Sequence, residues 1–394
     1  MGGVLARGPA SRTTEKGAQV DLQLDEDQQL FWETTSKFLE STCPVPTIRE
    51  WAEEELHGFP ASWWSQGAEL GWLSMLVSEE HGGGSVSGNG LSDLILVVEE
   101  IGRRVAPGPI IPVNLVAAAL CRYGTDAQRD ELLGGLVAGD AFATWAIGTT
   151  AGPGSTPTLS ARRQGSMIVL DGHLEPVEAT DLAGLVLVTA EVDGTPINLL
   201  VPLADRGVDV ERLNSLDLVR RFGRICFSGV TVDEDHVLPG DGAAQLSELL
   251  TIAAVLQSAE IAGILDHWLS LTIGYAFDRY TFGRPLASYQ ALKHRFANLK
   301  VFVEASLAVT VAAAGAFDSG SDRRAELASA AKSYVGTGGT NAMHEYVQLH
   351  GGIGTTWDHD LHLSIRRVTQ DRSLYGTPRE HNERIAQILG MGER

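Results

Sequence analysis

RYTFGRPLASYQ, at residues 279–290, is the stretch that decides the fold of this 394-residue chain. It places Arg279, Phe282, Gly283 and Gln290 at a fixed spacing, where one predicted helix ends and the chain turns into the next. The planar guanidinium of Arg279 is a fork of donors that suits a diphosphate, and the amide of Gln290 can bind a neighbouring polar group. Taken alone, the stretch is also compatible with an ordinary helix end capped by glycine.

A second stretch of the same kind, QLHGGIG, occupies residues 348–354. Its paired glycines, Gly351 and Gly352, let a ligand approach the backbone closely because they carry no side chain. Gln348 adds a polar side chain at the end of the same predicted helix. A glycine cap again explains the pattern by itself, so the indication of a ligand site comes from the two stretches together.

Outward from these stretches, the chain divides into three regions that differ in periodicity. Apolar residues recur at helical spacing in LSDLILVVEEIGR, whereas SMIVLDG, LAGLVLVTAEVDG and ICFSGVTV are short β-rich runs. The order along the chain is therefore α, then β, then α. We predict a loose leader at 1–21, an N-terminal helical domain at 22–139, a middle β domain at 140–240 and a C-terminal helical bundle at 241–394.

Finer predictions follow within these regions. Asp25-Glu26-Asp27 is typical of the acidic first turn of a helix. The Asp-Gly pairs at 171–172 and 193–194 are predicted to be hairpin turns. The last region is predicted to hold helices at 242–279, 289–317, 323–349, 357–374 and 378–390.

The composition argues against several classes of function. A net charge of −20 disfavours a nucleic-acid partner, because phosphate binding requires clustered Lys and Arg. Uninterrupted apolar runs are too short to span a bilayer, and no secretion signal is recognisable near Met1, so we expect no membrane association. The three cysteines lie far apart without a CxxC pair, which is typical of a reducing cytoplasm and argues against a zinc site.

Two groups of charged or glycine-rich residues receive ordinary interpretations. The arginines in Arg220-Arg221-Arg224 and Arg366-Arg367 are interpreted as solvated surface or a subunit contact, rather than as an anion site. The run GGGSVSGNG at 82–90 lacks the Gly-Lys-Ser ending of a phosphate loop and follows no predicted strand, so it is interpreted as a turn.

Histidine and tryptophan pairs are treated in the same way. His359 and His362 stand three residues apart on a predicted helix, but no third ligand lies at a suitable spacing, so no metal is predicted. Trp63 and Trp64 are interpreted as core or groove residues.

Together, RYTFG…Q and QLHGG closely resemble the C-terminal domain of the acyl-CoA dehydrogenase family, and the α–β–α order matches that family. The resemblance covers residues 25–394. It implies an α+β fold with an N-terminal helical domain, a middle β-barrel and a C-terminal four-helix bundle. It also implies FAD as the cofactor, held across a dimer interface. The flavin contacts expected from the family are Arg279, Phe282, Gln290, Gln348, Gly351, Gly352 and Thr377.

The family's reaction is the α,β-desaturation of an acyl-CoA thioester, which needs a carboxylate base. In most members that base is a Glu just before a Gly-Thr pair, but here Tyr375 precedes Gly376-Thr377. Other members place the Glu 29 residues before the Phe of the first motif, where this chain has Ala253. Neither position holds a carboxylate, so we predict no catalytic residue.

Two other residues near these positions were weighed as substitutes. A phenol with an ordinary pKa near 10 is protonated at neutral pH, so Tyr375 is a poor base and is better suited to donate a hydrogen bond or fill space. Glu260 lies seven residues beyond Ala253, about 10 Å along the helix, and is interpreted as a packing or polar-network residue.

The middle region also departs from the family pattern. The family's TEPxxGSD element corresponds to TTAGPGST at 149–156, which has lost the Glu-Pro pair. A Trp-Ile-Thr run that covers the flavin in the family aligns with Pro176 to Glu178. On that alignment, the Glu178 carboxylate would repel the negative charge of a reduced flavin.

The chain thus keeps the elements that serve a neighbour's flavin and alters those that serve its own. It resembles the base-lacking subunits of actinobacterial heteromeric acyl-CoA dehydrogenases, as does its ending GTPREHNERIAQILG. That resemblance implies an α2β2 complex with a catalytic partner subunit, an acyl-CoA substrate such as a sterol side-chain thioester, and an electron-transfer flavoprotein as acceptor. Two alternatives stay open: a self-sufficient homo-oligomeric flavoenzyme with an unrecognised base or oxygen chemistry, and a flavin-free structural module.

Overall fold

The computed structural model describes residues 24–53, 58–147 and 159–391 of the chain. The predicted leader at 1–21 and the TTAGPGST stretch lie outside these residues. The first part of the described chain is helical, as the sequence predicts. Its helices are α1 (Glu26–Thr42), α2 (Val45–Glu53), α3 (Ala61–Glu69), α4 (Gly90–Arg104), α5 (Ile110–Tyr123) and α6 (Asp126–Ala138).

Local sequence signals explain where these helices begin and end. Asp25 caps α1 through a capping box with Gln28, which confirms the acidic start predicted there. The helix α4 ends at Val105, and the next helix starts only after Pro107 and Pro109, since proline cannot continue a helix. Asp318, at the end of α8 (Gln290–Asp318), accepts hydrogen bonds from the first backbone amides of α4.

The middle of the chain forms one mixed sheet of seven strands. Its order is β1–β4–β2–β3–β7–β6, and β5, outside this path, pairs with β4. The strand β4 runs parallel to β1 and β2, and the other pairs are antiparallel. The strands are β1 (Ala143–Ala146), β2 (Leu159–Gln164), β3 (Met167–Glu178), β4 (Leu185–Val192), β5 (Thr195–Pro202), β6 (Val208–Leu213) and β7 (Phe222–Asp233).

One of the two predicted hairpin turns is confirmed and the other is wrong. Asp193-Gly194 joins β4 to β5, with φ of 50° and 79°, as a two-residue turn of the primed type requires. Asp171-Gly172 lies inside β3 and pairs with Ser228 and Phe227 of β7, next to a register shift that leaves Gly229 of β7 out of the ladder. The turn before β3 is instead made by Gly165 and Ser166.

The last part of the chain is helical, and the α–β–α order is confirmed. The predicted 357–374 helix is shorter than expected, because turns occupy the residues before Leu361 and after Asp371. The other four predicted helices agree with the structure within two residues at each end. The helices are α7 (Gly242–Asp278), α8, α9 (Arg324–His350), α10 (Leu361–Asp371) and α11 (Pro378–Ile388).

Glycines allow α4 and α7 to cross with their backbones in contact. A Cβ on Gly102 would lie 2.3 Å from the carbonyl oxygen of Glu260, and one on Gly263 would lie 2.1 Å from that of Glu99. Any other residue at either position would push the helices apart. This crossing fixes Glu260 at the centre of the molecule, between the N-terminal helices and the C-terminal bundle.

The helices α7 and α8 are each long and apolar enough to cross a membrane by length and composition alone. The sequence-based expectation considered only uninterrupted apolar runs and did not reveal this property. In α7, 94% of the most apolar window is buried within the fold, as in the core helix of a globular protein. In α8 only 33% of that window is buried; most of its other residues are half-buried, and Val301 is the one large apolar side chain of α8 among those that are strongly exposed.

Candidate functional site

The motif at 279–290 folds into a tight hairpin between α7 and α8. Its strands, β8 (Tyr280–Thr281) and β9 (Arg284–Pro285), are joined by Phe282 and Gly283 at φ of 52° and 79°. A left-handed conformation is costly for an aromatic residue, and Phe282 is nevertheless 93% exposed. The fold thus holds Phe282 in a strained position without packing its ring, which indicates a surface made for contact with something outside the chain.

The second motif lies beside this hairpin. The Tyr275 hydroxyl, near the end of α7, donates to the His350 carbonyl oxygen at 3.2 Å, and the two rings stack with centroids 4.6 Å apart. Gly351 has φ 68°, which favours glycine. A Cβ on Gly352 would meet no atom within 4 Å, so the described chain itself gives no reason for glycine there.

We call the surface formed by these two motifs the hairpin face. Gln290, Gln348 and Arg279 are exposed on it, and Arg279 forms no ion pair with any described residue. A free guanidinium next to open glycine backbone fits a diphosphate, which is the chemistry predicted from the sequence. Large apolar side chains are also exposed on the segments that form and flank the two motifs: Phe277, Tyr280, Phe282, Ile353 and Trp357.

Thr377 has a defined structural task. It is the N-cap of α11, where its hydroxyl donates to the Glu380 carboxylate at 2.8 Å and accepts from the Glu380 amide at 3.4 Å. This capping box engages the hydroxyl locally. The flavin contact expected at Thr377 stays a prediction.

Neither base position presents a group that can remove a proton. Ala253 is fully buried in α7. Tyr375 is 9% exposed, has φ 57°, and stacks on Trp145 with ring centroids 5.6 Å apart. Burial, and then the nearby Glu178 carboxyl, raise the pKa of Tyr375 above its usual value, so the phenol is an even poorer base than an exposed one.

Glu260, seven residues beyond Ala253 along α7, is engaged in ion pairs. Arg220 binds one of its oxygens, and Arg367 Nη1 lies 2.8 Å from the other. All three side chains are at most 6% exposed. The interpretation of Glu260 as a polar-network residue is confirmed, whereas the interpretation of Arg220 and Arg367 as solvated surface or subunit contacts is wrong.

These pairs belong to a larger group, which we call the buried ion cluster. It joins the sheet, α7, α9 and α10, and has four carboxyl groups against three basic groups: Glu178, Asp217, Glu260 and Asp371 with Arg220, Lys332 and Arg367. The excess of one negative charge is costly in a buried site. Burial accordingly raises the pKa of Asp371 and lowers that of Lys332, whose ammonium donates to the Asp371 carbonyl oxygen.

Glu178 lies at the edge of the cluster, at the end of β3. Its side chain is 6% exposed, and its Oε2 is 3.5 Å from Arg220 Nη1. Burial raises the pKa of Glu178 to about 7, against a partial opposing effect of Arg220. The repulsion of a reduced flavin expected from a fully charged carboxylate here is therefore weakened.

Beside Glu178 a cavity of about 460 Å³ opens between the sheet and α10; we call it the junction cavity. Trp145 and Tyr375 contribute to its wall, together with Pro176 and Phe222 from the strands. The family element that would donate to a flavin ring, TTAGPGST, follows Ile147 and lies outside the described residues. Among the described residues, the junction cavity is therefore the feature that corresponds to the ring end of a flavin site. The donors expected for the adenine-diphosphate end lie on the hairpin face.

The sequence-based interpretation missed the buried ion cluster, although one signal was available. Lys332 stands among small and apolar residues in ELASAAKSYVG, where a solvated lysine is unusual. Asp371 has no such signal, because it follows Thr369 and Gln370 in a polar run.

The histidine pair lies in aromatic contacts, and the tryptophan pair lies in the core, as predicted for the tryptophans. No group of three or more metal-ligating side chains occurs in the described ranges. His359 instead packs against His350, with ring centroids 4.8 Å apart, and His362 stacks on Trp357 at 4.4 Å. Trp63 is 3% exposed.

Two family models match the chain: acyl-CoA dehydrogenase, N-terminal domain, at residues 25–140, and acyl-CoA dehydrogenase, C-terminal domain, at residues 240–390. Among curated relatives, acyl-CoA dehydrogenase IpdE2 of Mycolicibacterium smegmatis is 28% identical over 362 residues, which is 92% of this chain and 98% of that protein.

Solved structures of this kind also superpose on the chain. The Tcur3481–Tcur3483 steroid ACAD matches with a TM-score of 0.84 and 27% identity, over 93% of this chain and 98% of that one. The ChsE4–ChsE5 complex of Mycobacterium tuberculosis matches with a TM-score of 0.86 and 25% identity, over 95% of this chain and 100% of that one.

Proposed function

The chain belongs to the acyl-CoA dehydrogenase family, whose cofactor is FAD, and we propose that it is a subunit that completes the FAD site of a catalytic partner without supplying a base. One observation carries the proposal. The hairpin face is exposed and has a free arginine, whereas both positions for the base are buried and hold Ala253 and Tyr375.

The division of labour follows from the chemistry of desaturation. The bound flavin would accept the β hydride of the acyl-CoA, and a carboxylate of the partner would remove the α proton. Arg279 and Gln348 of this chain would hold the diphosphate end, and the backbone amides of Gly351 and Gly352 would donate to it. The exposed ring of Phe282 would cover the adenine end from solvent.

The surface of the chain supports an assembled state. Only a third of the most apolar window of α8 is buried, and five large apolar side chains are exposed on the segments that form and flank the two motifs. Exposed apolar patches of this kind mark protein interfaces. We infer an α2β2 complex, in which the partner covers the hairpin face and electrons leave the flavin to an electron-transfer flavoprotein.

The substrate of the complex is inferred from the family and from one similar solved structure. The family acts on acyl-CoA thioesters, and one of the similar solved structures is a steroid ACAD. We propose a CoA thioester with a sterol side chain as the substrate of the complex. Its acyl group would bind to the partner, because the partner brings the base.

The test is a pair of substitutions made in this chain and purified with its partner. Arg279→Ala removes the free guanidinium, and Arg212→Ala removes another exposed arginine, on β6. A lost charge-assisted hydrogen bond of about 1.5–3 kcal/mol weakens FAD binding about 10- to 100-fold. We expect Arg279→Ala to lower both the FAD content and the activity, with recovery in excess FAD, and Arg212→Ala to change neither. Unchanged FAD content in Arg279→Ala would remove the basis of the proposal.

One feature favours the alternative of a self-sufficient homo-oligomeric flavoenzyme. The junction cavity leaves space beside Glu178 in which a ring could lie. In that case the isolated chain would be yellow, and adding acyl-CoA without oxygen would bleach its flavin. Bleaching would establish the dehydrogenase form, and flavin reduction only by an external reductant would point to oxygen chemistry.

A further inference from the structure

The hairpin of the first motif is too short to keep its shape by itself. Its strands β8 and β9 pair over only two residues each, and a hairpin of this size is at most marginally stable in water. The turn adds a further cost, because Phe282 has φ 52°, in the left-handed region that an aromatic residue rarely adopts. Contacts from outside the two strands must therefore hold the hairpin in place.

Tyr289, which directly precedes α8, contacts both strands of the hairpin. Its hydroxyl donates to the Thr281 carbonyl oxygen in β8 at 2.7 Å. The Arg284 guanidinium in β9 lies over the ring of Tyr289, 3.9 Å from its centroid, as a cation–π contact. One side chain thus holds the residues on either side of the turn at Phe282 and Gly283. Removing its hydroxyl would release β8 and leave the ring for Arg284.

Tyr275, in the last turn of α7, joins the base of the hairpin to the second motif. Its carbonyl oxygen accepts from the Arg279 amide at 2.9 Å, where Arg279 leaves the helix. Its hydroxyl donates to the His350 carbonyl oxygen at 3.2 Å, and the two rings stack. His350 directly precedes Gly351, so Tyr275 is bonded on both sides of the hairpin face, at Arg279 and at the glycine backbone.

His350 is a firm point of attachment for Tyr275. Its side chain is 6% exposed, and its Nδ1 lies 2.9 Å from the Tyr346 carbonyl oxygen one turn earlier in α9. The Trp268 ring packs edge-on against it, with centroids 6.0 Å apart. The carbonyl group that Tyr275 binds therefore belongs to a packed residue, and the bond fixes the backbone that leads into Gly351.

We propose that Tyr275 and Tyr289 are positioning residues, whose hydroxyls hold the two motifs in the shape that receives the diphosphate of FAD before the cofactor binds. Each hydroxyl proton is already donated to a carbonyl oxygen of the chain, so the effect on FAD is indirect. Groups that are held in place beforehand lose less conformational entropy on binding, so each bond raises the affinity without a new contact. The inference rests on the proposed function, because it concerns the same half-site.

The first test measures hydrogen exchange in the full chain without its partner. The Leu286 amide donates to the Arg279 carbonyl oxygen at 2.8 Å and closes the hairpin. Tyr289→Phe removes the hydroxyl and keeps the ring. A lost neutral hydrogen bond corresponds to a factor of about 2 to 10, so the Leu286 amide should exchange faster by that factor. In the control, Tyr334→Phe, exchange at Leu286 should not change, because Tyr334 lies on α9 with its ring against Phe302.

The second test measures binding to the complex with the catalytic partner, from which FAD has been removed. ADP serves as a probe of the adenine-diphosphate end and riboflavin as a probe of the ring end. We expect Tyr275→Phe and Tyr289→Phe each to weaken FAD and ADP binding by a factor of about 2 to 10. Riboflavin binding should not change, and kcat at saturating FAD should stay within about twofold. Tyr334→Phe should bind all three ligands as the natural chain does.

The outcomes separate this inference from the proposed function. Unchanged ADP affinity in Tyr275→Phe and Tyr289→Phe, beside a loss of FAD in Arg279→Ala, would overturn the inference and leave the proposed function intact. Equal losses of ADP and riboflavin affinity would show that the tyrosines act through the fold as a whole, and would overturn it as well. If Arg279→Ala also binds FAD and ADP normally, the proposed function fails and the inference fails with it.

Discussion

Arg367 Nη1 lies 2.8 Å from Glu260 Oε1, in a place where neither side chain is more than 1% exposed. Glu260 lies seven residues beyond Ala253 on α7, a position at which other members of the family are expected to carry their base. Its oxygens are held by Arg367 and Arg220, so it is not free to take a proton from a substrate. The Arg367–Glu260 ion pair therefore makes Glu260 a structural link between α7 and α10 and not a base.

The anchor predicts a large loss of stability in Arg367→Met. Removing one partner of a buried pair leaves an uncompensated carboxylate and costs about 3–5 kcal/mol. The control is Arg379→Met, because Arg379 pairs with Glu383 on the surface, where such pairs contribute less than about 1 kcal/mol. Denaturant unfolding of both variants measures the difference, and equal midpoints would show that the cluster does not stabilise the fold.

Glu178 predicts a pH dependence of stability. The pKa of Glu178 rises from 4.5 in the unfolded chain to about 7 in the folded chain. At pH values between these two, the folded chain therefore binds more protons than the unfolded chain. The contribution to stability is therefore full below about pH 4.5 and is lost as the pH rises to about 7, by up to about 3 kcal/mol. Unfolding free energies of the natural chain and Glu178→Gln, compared over this window, should diverge as the pH rises. Parallel curves would contradict the assignment.

The hairpin predicts opposite effects on stability and on cofactor binding. Phe282→Gly relieves a left-handed conformation and removes a side chain that is 93% exposed, so the isolated chain should gain about 0.5–1 kcal/mol or stay unchanged. The complex should hold FAD less tightly, because the exposed ring is lost. Thermal unfolding of the chain and FAD titration of the complex measure the two effects. A destabilised chain with normal FAD affinity would show that Phe282 is structural.

We expect the hydroxyl of Tyr375 to take no part in catalysis. Tyr375→Phe removes the phenol and keeps the ring that stacks on Trp145, so the activity of the complex should change less than about twofold. A loss of 100-fold or more, together with an altered pH profile, would identify Tyr375 as a catalytic base.

The sequence predicted those parts of the molecule that depend on local pattern. Period, caps and breakers predict the α–β–α order, the acidic start of α1 and the long helices α7 to α9, because these features require only neighbouring residues. The hairpin at Asp193-Gly194 is predicted for the same reason. The hairpin turn predicted at Asp171-Gly172 is wrong, because Asp and Gly are common both in turns and beside β-bulges. Only the pairing with β7 decides which of the two forms.

The candidate site was predictable only in part. The exposed motif residues were found because a ligand site leaves its signature in the sequence, although their contacts with FAD stay predictions. The buried ion cluster was not found, since Arg220, Glu260 and Asp371 come from three distant segments and meet only in the folded chain. A charged residue is predicted to be exposed unless the partners that would allow its burial are known.

The central claim is that the chain completes a partner's flavin site and has none of its own. The most direct measurement is the FAD content of the native complex, counted per chain, beside that of this chain purified alone. We predict about one FAD per two chains in the complex and little flavin on the isolated chain. A yellow homo-oligomer with one FAD per chain would contradict the account.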